Sequence, residues 1–326
     1  MNLPLFEHLH AGGHISDASL QKIKAAQSNK LFSVHWEFKA MLYLGVLLLS
    51  GGLSILVYKN IDTIGHQVIL FVIAAVCAGS FFYCFKKKLP YSNSKVLSPD
   101  SFFDYILLLG CLTFITFVGY LQFQYNVFGN RFGLATFIPM LVLFFTAYYF
   151  DHLGVHSMAI TTLAAWAGIA VTPARILQKN DFNSETIIIT GFFLGLCLIA
   201  AGYFSASKKI KQHFEFTYSN FGTHILFIST LAGMFHFETI YLLWFLVLGG
   251  ICYFFYRKAI AERSFYYLLT GSLYLYIGLS YCIIRVIFDS AGLDIGAVYL
   301  LCFYFILSAT GLIFFLIRMN KKIKNL

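Results

Sequence analysis

The chemistry open to this 326-residue chain rests on a few ionisable side chains set among apolar ones. Arg285 and Asp289 stand four residues apart, a spacing that puts both on one face of a helix. Such a pair is suited to holding an anionic headgroup or to gating a cavity. The alternative is an arginine that reaches outward along its own stem and pairs locally. Tyr266, Tyr267, Tyr274, Tyr276 and Tyr281 run through the same segment. A tyrosine hydroxyl in a bilayer needs a partner, so this helix is expected to face protein or a wet cavity. Asn60, Asp62 and His66 make the most polar turn of the N-terminal half. The candidate binding residues are therefore Arg285, Asp289, Tyr274, Tyr281, Asn60, Asp62 and His66.

The remaining polar groups give weaker signals. Asp151, His152 and His156 form a DHxxxH string, and histidines at i and i+4 on a helix can share a metal. A stable site needs a third or fourth ligand, which the neighbouring sequence does not offer, so no metal is expected. Asp104 reads as an interfacial carboxylate, and His236 and Glu238 as a turn exposed to water. The seven cysteines show no CxxC spacing and read as small hydrophobes inside spans. No hydrolase elbow, HExxH, phosphate loop or intramembrane carboxylate pair is present. Catalytic residues and cofactors are accordingly not assigned, and an enzyme is only the third reading.

The elements that must position these residues follow from composition. Hydrophobic residues make up 59% of the chain and charged ones 11%, and the mean hydropathy is +0.76. A soluble protein carries roughly 25% charged residues. The apolar residues fall in runs of about 20, the length a helix rising 1.5 Å per residue needs to cross a bilayer. This excludes a soluble enzyme, a secreted disulfide scaffold and an outer-membrane barrel, which would alternate in polarity over about 10 residues. The fold class is all-α, a polytopic transmembrane helix bundle. Ten spans are expected, over residues 40–58, 66–85, 102–121, 132–150, 155–173, 186–205, 220–237, 239–256, 265–288 and 295–317. The boundary between the seventh and eighth is the least marked.

The net charge of +9 is distributed over many short loops, which argues topology and not nucleic-acid binding. With a cytoplasmic N-terminus, 18 of the 23 lysines and arginines fall inside and four outside. Both termini are therefore expected to be cytoplasmic. Merging the seventh and eighth spans would place Arg257, Lys258 and Arg263 outside, against this rule. Residues 1–39 read as a cytoplasmic amphipathic hairpin, 40–317 as the membrane bundle and 318–326 as a basic tail. No cleavable signal peptide is expected. In the hairpin, Gly12-Gly13 breaks a first short helix, and Ser16 is a suitable N-cap for a second, with Asp17 in its first turn.

Residues 13–23, Gly-His-Ile-Ser-Asp through Leu-Gln-Lys-Ile, precede a first span reading LYLGVLLLSGGLSILVYKNIDTIGH over 42–66. Over residues 5–70 this resembles the bacterial predicted membrane protein family catalogued as domain of unknown function 2157. That family's Asn-Trp-Asp turn reads Asn60-Ile61-Asp62 here, without the tryptophan. The resemblance implies a multi-pass protein of the bacterial inner membrane and supplies no substrate.

Gly191 and Gly195 form a GxxxG in the sixth span, and Ala74/Ala78, Ala75/Gly79 and Ala164/Gly168 repeat that spacing. These are expected to let helix backbones approach, within the chain or between copies. Gly45 and Gly52-Leu-Ser with Lys59 match Gly271 and Gly278-Leu-Ser with Arg285 at identical spacing, which suggests a repeat of spans one and nine. The leading functional expectation is a carrier or a lipid- or amphiphile-interacting protein with a cavity near those spans. Membrane lipids are its expected partners. The alternative is a non-transporting scaffold or sensor that docks a protein through the N-terminal hairpin.

Overall fold

The computed structural model describes residues 3–28, 35–59, 65–171, 184–291 and 295–324. Asn60 and Asp62 lie outside the described residues. Among those described there are twelve α-helices and no strand. The chain divides into two compact units, Met1–Ile69 and Leu70–Leu326.

The first unit holds α1 (Leu3–Ala11), α2 (Asp17–Ser28) and α3 (His35–Lys59). The first two form a hairpin closed by a hydrogen bond between His10 and Asp17 (2.6 Å) and an ion pair from Lys24 to Glu7 (2.9 Å). Gly13 makes the turn with a φ of 73°, a conformation that costs glycine nothing. Ser16 accepts a hydrogen bond from the Ser19 amide, as an N-cap should.

From α4 (His66–Lys87) onward the chain is a run of long helices. These are α5 (Ser101–Tyr125), α6 (Phe132–Phe150), α7 (Leu153–Val171), α8 (Glu185–Ser207), α9 (Glu215–His236), α10 (Tyr241–Ala261), α11 (Phe265–Ala291) and α12 (Ile295–Lys324). Within the described residues each of the ten expected spans falls on a helix, α3 to α12 in order. Eight of these helices are long and apolar enough to cross a membrane; α3 and α9, the first and seventh expected spans, are not among the eight. The seventh and eighth spans are separate, because Phe237 and the 3₁₀ turn Glu238–Ile240 break the chain between α9 and α10. α12 runs on through the basic residues to Lys324, and Met319 and Ile323 join the buried cluster of Phe255 and Ala259 of α10.

Local chemistry sets the helix ends. Asp100 caps α5 by accepting from the Phe103 amide at 2.7 Å. Asn126 and Asp151 end α5 and α6 in the left-handed conformation, with φ of 50° and 60°, which these short polar residues tolerate better than most.

The least apolar of the long helices, α9, is packed by neighbours on several sides. Its buried Thr223 and Thr230 hydroxyls donate to the carbonyls of Ser219 and Leu226 four residues earlier, so neither is left unpaired in the core. The sixth-span GxxxG packs here. A Cβ on Gly195 would sit 2.7 Å from the Leu226 amide nitrogen, and one on Gly222 would sit 2.9 Å from the Gly195 carbonyl. The α8 and α9 backbones therefore touch, and in lipid that closeness is what holds helices together.

Candidate functional site

A cavity of about 540 Å³ lies among α10, α11 and α12, the eighth, ninth and tenth spans. Each helix contributes a glycine to it: Gly249, Gly271 and Gly311. A Cβ on Gly249 or Gly311 would meet nothing within 4 Å, so these positions leave room that larger residues would fill. The walls are otherwise apolar and aromatic, with hydroxyls as the polar groups. Tyr276 and Ser308 pair at 3.0 Å, and Ser280 and Tyr304 at 2.9 Å, tying α11 to α12. Among the described residues that line it, none is charged.

The expected site residues lie elsewhere. At 100° per residue, Tyr274, Tyr281 and Arg285 fall on a different face of α11 from Leu268, Leu275 and Leu279, which line the cavity. Arg285 donates to the Tyr281 hydroxyl at 3.0 Å and packs over the Tyr241 ring at 4.8 Å. Its ion pair is with Glu238, at 3.2 Å, across the helix boundary. Asp289, the expected partner, is exposed on the next turn. Glu238, which the sequence assigns to a solvated turn, thus locks the start of α10 to the end of α11. His66 begins α4 and is half-buried.

Tyr274 faces α9 instead, where its ring stacks on Phe227 at 4.7 Å. Its hydroxyl meets Nδ1 of His224 at 2.9 Å, and the Tyr266 hydroxyl meets Nε2 of the same ring at 2.8 Å. Tyr266 in turn donates to Oδ1 of Asn220. One turn toward the basic end, Lys258 donates to Ser219, packs over the Tyr267 ring at 4.8 Å and lies 3.7 and 3.5 Å from Glu215 and Glu262. The α9–α11 seam thus carries polar groups at both ends and in the middle. Sequence reasoning missed His224. The signal available was the lower apolarity of its span, together with Asn220 one turn before it.

A second polar cluster sits at the end of the second unit that carries Lys86–Lys88 and Lys208–Lys211. Asp151, at the left-handed end of α6, accepts from Lys211 Nζ (3.0 Å), from His213 Nε2 (2.5 Å) and from the Val96 amide (2.5 Å). Lys211 is fully buried. Its amide donates to the Asn93 carbonyl at 2.8 Å and its ammonium to the Ser94 carbonyl at 3.4 Å. Three segments distant in sequence are joined by one carboxylate. The sequence counted Lys211 only as a topology charge, because nothing local marks a lysine for burial.

The DHxxxH string is divided by this arrangement. Asp151 serves Lys211 and His213. His152 lies 3.6 Å from Asp104 and accepts the Val155 amide at its Nδ1. Burial holds His152 below the usual histidine range, against the opposing pull of Asp104 and Asp151. His156 is fully buried, stacked on Phe214 at 4.4 Å and edge-on to Tyr218 at 4.3 Å. Among the described residues neither of its ring nitrogens has a hydrogen-bond partner.

Residues 7–156 match the model of DUF2157, described as a predicted membrane protein family. The resemblance read over residues 5–70 thus extends through α7's first residues, past the polar turn after α6. The cavity and the His224 seam lie beyond the matched segment. No curated protein and no solved structure matches the chain. The family match and the run of apolar helices make this a multi-pass membrane protein.

Proposed function

We propose that the protein binds a lipid-like amphiphile in the cavity among α10, α11 and α12, as a carrier or a lipid-interacting protein. The cavity carries the reading: about 540 Å³ is within the range of roughly 300–1,000 Å³ typical of small-molecule sites. Its glycine-opened apolar walls suit a hydrocarbon chain, and the Tyr276–Ser308 pair and Tyr304 offer hydroxyls to one polar group of the guest. The charge of Arg285 is compensated by Glu238, so guest selection in this reading rests on shape and hydroxyl bonding. The basic ends of α4, α8, α10 and α12 support the orientation with both termini cytoplasmic, in the bacterial inner membrane that the resemblance implies.

The test is a thermal-shift titration of the delipidated protein in mild detergent with oleate, lysophosphatidylglycerol and a diacyl phospholipid. A guest bound only by the folded state raises the apparent melting temperature by mass action. One probe is expected to give a shift that Gly311→Leu removes and Arg285→Ala leaves in place. If no probe gives a shift that Gly311→Leu removes, the cavity reading is wrong.

A further inference from the structure

We propose that His224 is a proton-binding site inside the helix bundle, whose charge state α11 reads directly. This goes beyond guest binding and does not depend on it. The neighbours of the ring fix which hydrogens it holds. Tyr266 donates its only hydroxyl hydrogen to Asn220 Oδ1, so its oxygen faces His224 as an acceptor. Nε2 must therefore carry a hydrogen. Nδ1, 2.9 Å from the Tyr274 hydroxyl, is then the lone-pair nitrogen of the neutral ring and accepts from that hydroxyl.

A second proton has one place to go, Nδ1, and the surroundings can receive it. Turning the Tyr274 O–H away makes its oxygen the acceptor, so both ring N–H groups of the charged form still have partners. Both states are hydrogen-bonded, and only one hydroxyl rotor differs between them. An ionisable side chain in a span is costly and marks function more often than structure. This one is half-buried, unlike the fully enclosed His156.

The groups around it are few. On α11 the titratable neighbours are Tyr266 and Tyr274, both bonded to the ring. On α10 the charged group is Lys258, held at Ser219 toward the basic end with Glu215 and Glu262. α8 meets α9 through Gly191, Gly195 and Gly202, has no charged residue between Glu185 and Lys208, and keeps Cys197 and Tyr203 exposed. α7 brings His156, which packs on Phe214 and Tyr218, upstream on α9's side of the basic end. No fixed charge among the described residues bonds to the His224 ring, so its two protonation states differ chiefly in the orientation of the Tyr274 hydroxyl. Because Tyr274 holds α11 to α9 and the other face of α11 walls the cavity, protonation is placed to bias that wall.

The experiment is nitrogen NMR of the full chain, labelled with ¹⁵N-histidine and held in lipid nanodiscs, with the His224 resonances assigned by their loss in His224→Gln. At high pH they are expected to report the Nε2–H tautomer. Between about pH 8 and about pH 5 they should convert reversibly to imidazolium. Asn220→Asp, which puts a carboxylate beside Tyr266, should raise the midpoint by about one pH unit. If His224→Gln fails to fold, Tyr274→Phe, which removes only the Nδ1 partner, identifies the same resonances by their displacement. An Nδ1–H tautomer at high pH, or a ring still neutral at pH 5, would overturn the proposal. Neither outcome bears on lipid binding, so the two readings fail separately.

Discussion

Two histidines within the spans show how differently one side chain can be housed. His156 is fully buried among Phe214, Tyr218 and Tyr148, with ring nitrogens that bond nothing among the described residues. An imidazolium there would have neither water nor an acceptor. His224 is half-buried and bonded at both nitrogens by phenols that can reverse their roles. Two regions follow the same division. Around Asp151 the polar groups are sealed and fully used in holding loops together. Along α11 they are distributed down a seam beside open space. Sealed polar groups specify structure, whereas adaptable ones beside a cavity leave a choice of state.

The sharpest way to break this contrast is to cut the sealed cluster. Lys211→Met leaves the buried Asp151 carboxylate without its cation, and breaking a buried pair costs about 3–5 kcal/mol. The melting temperature in detergent should fall steeply, and a second change, Asp151→Asn, which removes the charge while keeping an acceptor and the left-handed end, should recover part of the loss. If Lys211→Met melts like the parent protein, the cluster is not the staple described. Next in size is the α8–α9 contact. Gly195→Val forces atoms into a gap where even a Cβ would lie 2.7 Å from backbone, and overpacking of this kind costs about 1–3 kcal/mol. Gly249→Leu, in contrast, enters open space and should leave stability unchanged or improved while abolishing guest-induced stabilisation.

Smaller still is Tyr274→Phe, which removes one hydrogen bond from His224 and should cost about 0.5–1.5 kcal/mol, read by thermal unfolding. The smallest effect concerns His152. Its folded pKa lies below the ordinary value of 6.5, so the unfolded chain binds more protons and stability falls as the pH drops through that value. His152→Gln should flatten this slope on the acid side and leave stability above it nearly unchanged. A slope identical to the parent's would assign the acid loss to other groups.

Much of the fold was legible in the residues themselves. Apolar runs of about 20 residues leave the backbone no option in lipid but helices, and short polar breaks mark where each helix ends; of the ten expected spans, eight are helices long and apolar enough to cross a membrane. Even the weak break between the seventh and eighth spans was readable, from the expectation that the basic residues after it share a side with the other basic loops, and the structure separates the two helices at Phe237–Ile240. The GxxxG of the sixth span announced a close contact, although not its partner. The Arg285–Tyr281 contact is local, at helical spacing, but the sequence reading paired Arg285 with Asp289 instead.

What spacing along one helix could not supply was the choice among neighbours on other helices. Arg285 took Glu238 instead of Asp289 because α10 starts beside the end of α11. Lys211 became the most thoroughly buried charge because a left-handed Asp151 and the 93–96 segment converge on it. The cavity arises from three glycines on three helices, each unremarkable in its own span. Hydropathy is a property of single segments and is written in the chain. Pairing, burial of a charge and empty volume are properties of several segments at once, and only their packing decides them.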